Sequence, residues 1–165
     1  MGKYAFVGGT LIDGTGAAPV KDSLVLVDDK KITYAGKKTE IPEGFEVRDI
    51  TGRTIMPGLI DTHLHFSGNL TDDDNDWVIE TVAQKQAVAV KQAYDCLANG
   101  LTTVCEIGRN GIAIRDVVNM GIMKGPRILA AGLGLCRVGG HGDGDKLPLQ
   151  VSRDSHRGGD EGDGP

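Results

Sequence analysis

Thr54-Ile55-Met56-Pro57-Gly58-Leu59-Ile60-Asp61-Thr62-His63-Leu64-His65 is a long, largely apolar run that closes on two histidines. Side chains of a strand alternate, which predicts His63 and His65 on one side with Asp61 in step behind them. Leu64, Thr62 and Ile60 are then expected to face covering helices on the other side. Two imidazoles side by side can bind one divalent ion through neutral nitrogens, zinc being the expected choice. A catalytic zinc needs about three protein ligands and an open position, so this pair is part of a set.

Downstream of the run lies an acidic loop, Asp72, Asp73, Asp74 and Asp76, followed by a helical pattern. Ile79, Val82, Ala83, Ala87, Val90, Ala93, Tyr94 and Leu97 recur at three- and four-residue steps, one face of a helix. Asp76 is the expected N-cap, and Gly100 stands where a left-handed C-terminal residue is wanted. A strand, Leu101–Ile107, then precedes a second helical pattern through Ile114, Val117, Val118 and Ile122. Lys124-Gly125-Pro126 stops that helix, and a third strand, Arg127–Ala131, comes next. This alternation predicts α/β architecture, a parallel sheet with helical crossovers. In α/β barrels the catalytic groups sit at the carboxyl ends of strands, where His63 and His65 fall. Three strands and two crossovers take up about 75 residues, and a closed eight-unit barrel takes about 250, so this chain holds at most three of the eight units.

Upstream, Tyr4–Val7, Thr10–Ile12, Leu24–Val27, Ile32–Ala35 and Phe45–Ile50 read as short strands, with Asp28-Asp29-Lys30 as a hairpin connection. Short strands with frequent turn signals suggest part of a small β-sandwich. At the other end, Ser152 to Pro165 contains no aliphatic or aromatic side chain and is expected to be disordered. The expected organisation is residues 1–54 as a β-sandwich part, 55–150 as the β/α portion and 151–165 as a tail.

Composition narrows the function. Eighteen Lys and Arg stand against 23 Asp and Glu, a net charge of −5 with no basic block, which argues against nucleic acid as a partner. Uncharged runs such as Ile128 to Cys136 fall far short of the ~18 residues of a membrane span, and no signal-peptide pattern opens the chain. Cys96, Cys105 and Cys136 form no paired framework and read as small buried hydrophobes of a reducing, cytoplasmic setting. The Asp72–Asp76 run lacks the ligand spacing of a calcium loop and reads as solvated. Gly132-Leu133-Gly134 lacks a full dinucleotide fingerprint, and neither a P-loop nor a nucleophile elbow is present. Of the two remaining histidines, His156 lies in the tail and is expected to do nothing. His141, in Gly139-Gly140-His141-Gly142-Asp143 after the third strand, is a candidate substrate contact at the strand-end face. Glu106 ends the second strand near where substrate would lie, and alone assigns no role.

Ile55 through His65 resembles the first barrel strand of metal-dependent amidohydrolases. Gly9-Thr10-Leu11-Ile12-Asp13-Gly14-Thr15-Gly16 is similar to the opening of that family's small β-sandwich, and Leu101-Thr102-Thr103-Val104 to its second barrel strand. Gly125-Pro126-Arg127-Ile128-Leu129-Ala130-Ala131-Gly132 followed by Gly139–Asp143 looks like the branch holding Xaa-Pro dipeptidases, related carboxypeptidases and imidazolonepropionases. The resemblance implies a (β/α)8 barrel with one or two divalent ions, usually zinc, and places His63 and His65 as ligands. It implies hydrolysis of C–N bonds in small amides or dipeptides, with the metal lowering the pKa of water to about 7 and polarising the carbonyl. The family's carboxylated lysine, later histidines and general-base aspartate come from strands four, five, six and eight, which have no counterpart in this sequence.

The expectation is therefore a hydrolase-type partial (β/α)8 barrel of about three units, truncated and weak or inactive alone, in which no residue is assigned as catalytic. The competing expectations are a non-catalytic module that associates with itself or with a missing C-terminal barrel portion through its open sheet, and a degraded gene fragment.

Overall fold

The computed structural model describes residues 2–68, 80–108 and 110–132. The chain divides into two compact units, Met1–Pro57 and Gly58–Pro165.

In the first unit, β1 (Lys3–Val7), β3 (Ser23–Asp28), β4 (Lys31–Lys37) and β5 (Glu46–Asp49) form one sheet in the order β4-β3-β1-β5. β1 runs antiparallel to β3 and parallel to β5, and β3 runs antiparallel to β4. The expected hairpin is present: two residues, Asp29 and Lys30, join β3 to β4, and Asp29 takes a φ of 55°, which Asp tolerates better than most residues. Register sets the core, since Ala5 lies opposite Leu26 and Val7 opposite Leu24. Those four buried side chains gather Tyr34, Ile41 and Phe45 around them. Ser23 is wholly buried, and its hydroxyl is satisfied by donating to the Gly9 carbonyl at 2.9 Å. A second, two-stranded parallel pair joins β2 (Thr10–Leu11) to β6 (Thr54–Ile55).

The run from Thr54 to His65 is thus two strands, not one. β6 ends at Ile55 and β7 spans Leu59–Leu64. Pro57 has no N–H for a ladder. Gly58 lies so close to Thr102 that a β-carbon there would sit 2.1 Å from its Oγ1.

The second unit builds a parallel sheet, β7-β8-β9, from β7, β8 (Leu101–Glu106) and β9 (Arg127–Ala130). Helices α1 (Val82–Ala98) and α2 (Gly111–Asn119) connect them in the expected order. Their shared core is Phe66, Ala89, Ala93, Val104, Ile114 and Ile128, with Leu64, Cys96, Leu101 and Val118 packed against it. Cys96 therefore behaves as the expected small hydrophobe.

α1 differs from expectation at its start and in its inner face. Its N-cap is Thr81, not Asp76. The Thr81 hydroxyl accepts from the Gln84 N–H at 3.3 Å, and the Gln84 side chain accepts from the Thr81 N–H at 2.9 Å, a capping box. The buried stripe runs through Ala89 and Ala93, whereas Val82 is 76% exposed and Tyr94 53%. Small residues let the helix lie close to the sheet, and the larger apolar ones are displaced from the contact. The C-terminal end is as expected, with Gly100 at φ 89° just past the cap. Among the described residues no helix is long and apolar enough to cross a membrane.

Candidate metal centre at the carboxyl end of the parallel sheet

His63 lies near the end of β7 and His65 immediately after it. Their imidazoles are neighbours, with ring centroids 5.3 Å apart and planes 82° to each other. Both residues are exposed, and neither ring hydrogen-bonds to another described residue. What aims them is on the opposite face: Leu64 packs against the helix-covered core, and Phe66, 1% exposed, belongs to it. Alternation then turns His63 and His65 away from the helices.

Upstream of the pair the alternation fails. Asp61 pairs with Val104 and Leu64 with Glu106, so three steps on β7 match two on β8. That is a bulge, a device that re-aims side chains and leaves a backbone group off the ladder. The freed His63 N–H donates to Asp61 Oδ1 at 3.0 Å. Asp61 therefore acts on the backbone of His63 and is not a third member in step with the rings. A second register shift lies between Leu59 and Ile60, which pairs Ile60 with Thr103. Ile60 and Thr62 do not lie beneath helices as the alternation predicts; both are exposed, Ile60 by 66%.

The turn after His65 is held from three elements. Asn110 Nδ2 donates to the Phe66 carbonyl at 2.6 Å, and Asn110 Oδ1 accepts from Gln86 Nε2 of α1 at 2.6 Å. Gly68 N–H donates to Gln92 Oε1 at 3.2 Å. Gly68 has a φ of 72° and presses on α1, where a β-carbon would meet the Lys85 carbonyl oxygen at 2.4 Å. From β8 comes Glu106, fully buried, whose Oε1 accepts the Phe66 N–H at 3.1 Å. Its Oε2 is buried with no hydrogen-bond partner. The Glu106 side chain is turned into the core rather than onto an open face. It shares the helix-covered side of β8 with Val104, and a β-carbon on Gly111, the first residue of α2, would fall 2.0 Å from Oε2. Sequence reasoning places Glu106 at the right strand end and misses this role. The signal is the pair of glycines shortly after it, Gly108 and Gly111, both of which leave room for a carboxylate.

Burial, and then the negative charges of Asp61 and Asp95, push the Cys96 thiol above its ordinary pKa.

Two imidazoles of this kind suit a divalent ion as donors. Among the described residues no group of three or more His, Cys, Asp or Glu converges on one point. The pair is therefore, by itself, two candidate donors on the side facing away from the helices. His141, His156, Cys136 and the acidic run Asp72–Asp76 lie outside the described residues.

The family model described as "Amidohydrolase family" matches residues 54–158. Ochratoxinase of Aspergillus niger is 32% identical over 148 residues, covering 85% of this chain and 30% of that protein. The crystal structure of A. niger ochratoxinase superposes with a TM-score of 0.79 at 26% identity, over 93% of this chain and 36% of that one. A crystal structure of a Xaa-Pro dipeptidase with bound methionine in its active site gives 0.72 at 31% identity, over 84% and 35%. The chain spans about a third of the length of these relatives. Matched over most of its length by the family's own pattern and sharing its fold with solved members, the chain belongs to the amidohydrolase family.

Proposed function

We propose that this chain supplies the two-histidine edge of a metal-dependent site that hydrolyses C–N bonds in small amides or dipeptides. The observation that carries the reading is the facing of His63 and His65 at a strand's carboxyl end. In this reading residues 55–150 form about three units of a (β/α)8 barrel, and residues 1–54 form part of a composite β-sandwich. The name of one relative, a Xaa-Pro dipeptidase, favours a dipeptide-like substrate joined by an amide bond.

His63 and His65 hold one divalent ion, zinc being the expected one, through neutral ring nitrogens. When bound, such an ion supplies Lewis-acid polarisation of a carbonyl and a lowered pKa for water. The chain's own contribution is orientation. Leu64 and Phe66 anchor the backbone in the core, Asp61 satisfies the N–H that the bulge frees, and Asn110 holds the turn beyond. His141 is proposed as a substrate contact.

Two imidazoles alone bind a divalent ion weakly, and no described residue stands as general base. Residues 1–165 by themselves are accordingly proposed to hydrolyse dipeptides poorly or not at all. Calorimetric titration of the chain with Zn²⁺ tests the reading. One site that disappears in both His63→Ala and His65→Ala is the expected result, and uptake indifferent to both substitutions overturns it.

A second reading has its own observation. Leu59, Ile60 and Leu129 of the parallel sheet are 49%, 66% and 58% exposed, an apolar surface suited to association with another copy or another segment. Light scattering that finds only monomer counts against it.

A further inference from the structure

We propose that Glu106 is the positioning residue of the histidine pair, a claim that rests on the metal reading above and names what holds the two rings at a common ion. Three observations converge on its carboxylate. Oε1 accepts the N–H of Phe66, the residue directly after His65, across 40 positions of sequence. Glu106 also stands opposite Leu64 in the ladder, and the Ile107 N–H beside it donates to the Leu64 carbonyl at 3.1 Å. The backbone is thus grasped on both sides of His65. Finally, Gly108 brings the two groups together: a β-carbon there would lie 2.6 Å from Glu106 Oε1 and 3.3 Å from His65 Nδ1.

The chemistry of the site explains why an ionisable group is placed in a core. β7 is bulged beside His63 and regains the ladder only at Leu64, its last residue, so the residues beyond it need a further hold. A buried acceptor reaching over from β8 provides it. The second oxygen sits by the first turn of α2, whose N-cap Asn110 spends its side chain on Phe66 and Gln86 and leaves its own helix uncapped. Glu106 therefore stands between the turn after His65, which Oε1 holds, and the start of α2, beside which Oε2 sits, and it fixes ring separation without touching the ion.

Two variants of similar volume separate positioning from packing. Glu106→Gln keeps an acceptor for the Phe66 N–H, and Glu106→Met keeps the bulk without it. Zn²⁺ titrated calorimetrically into the 165-residue chain should bind Glu106→Met on the order of 10–100-fold more weakly, the usual cost of losing a partner that orients a ligand. Glu106→Gln should stay close to the parent. Far-UV circular dichroism of both should match the parent. Equal affinity in Glu106→Met, or a Gln variant as weak as Met, overturns the proposal. If the parent takes up no zinc, the metal reading fails by itself. The positioning claim is then decided by proton NMR: cross-relaxation between the His63 and His65 rings should persist in Glu106→Gln and vanish in Glu106→Met, and its persistence in both overturns the claim. Should Glu106→Met not fold, the same two readouts on Glu106→Asp decide, because a carboxylate one methylene shorter should lose the Phe66 contact and behave as Met does.

Discussion

Two strands of this molecule stand at opposite ends of a scale. β3 of the first unit buries four residues in succession, Ser23 to Leu26, and lies between two partners in its sheet. β7 of the second unit has no fully buried residue and runs at a sheet edge, yet it carries the histidines. β3 is held by the side chains it buries itself. β7 is held by the residues just past its end, with Phe66 in the core and polar clamps from Glu106, Asn110 and Gln92 on residues 66–68. A strand that turns its side chains outward cannot also bury them, so its order is supplied from outside.

That contrast can be broken at its anchors. Phe66→Ala should cost about 3–5 kcal/mol in urea unfolding, and Leu24→Ala about 2–5 kcal/mol, each removing a buried side chain whose cavity only partly collapses. Ile60→Ala on β7 should fall within about 0.5 kcal/mol of the parent, as exposed positions do. A large loss at Ile60 would mean that β7 carries its own stability. Zinc uptake sharpens the same point: Phe66→Ala should weaken it, and Leu24→Ala should not where the second unit stays folded.

A smaller effect is expected at Thr81→Ala. It removes the hydroxyl half of the capping box and should cost about 1 kcal/mol, read as a shift in urea midpoint at unchanged slope. Smaller again is a rate difference. With its pKa raised by burial, the Cys96 thiol should remain protonated at a pH where a free cysteine begins to ionise, and should react with iodoacetamide more slowly than a model thiol at about pH 8–9. Fast alkylation of Cys96 in the folded chain would contradict its place against the core.

Strand and helix order in residues 59–130 was legible because apolar runs and stop signals are local properties. Gly100 ends a helix for a backbone reason that needs no tertiary context, but α2 stops at Asn119, with Gly121 at φ 72° just past its Met120 cap, ahead of the stop expected at Lys124-Gly125-Pro126, so Ile122 lies outside the helix. The start of α1 was legible too, in Thr81-Val82-Ala83-Gln84, but the acidic residues upstream drew attention to Asp76. Its inner face was legible only in part. The three- and four-residue steps pick out Ala93, which is buried, but also Val82, Val90 and Tyr94, which are exposed, and they miss Ala89, which the sheet selects for its size. At the site, neighbouring histidines on one face arise from a two-residue period. The bulge beside His63 does not, since it depends on how β7 registers against β8. Nor does the burial of Glu106, which arises from contacts with residues 40 positions away in sequence and with α2.

The most direct measurement is a long-range ¹H–¹⁵N correlation spectrum of the uniformly labelled chain during stepwise addition of Zn²⁺. The account predicts that one nitrogen of His63 and one of His65 move together to metal-bound shifts as the first equivalent is added. Rings that respond separately, or a zinc-bound chain in which either ring keeps its metal-free shifts, would contradict it.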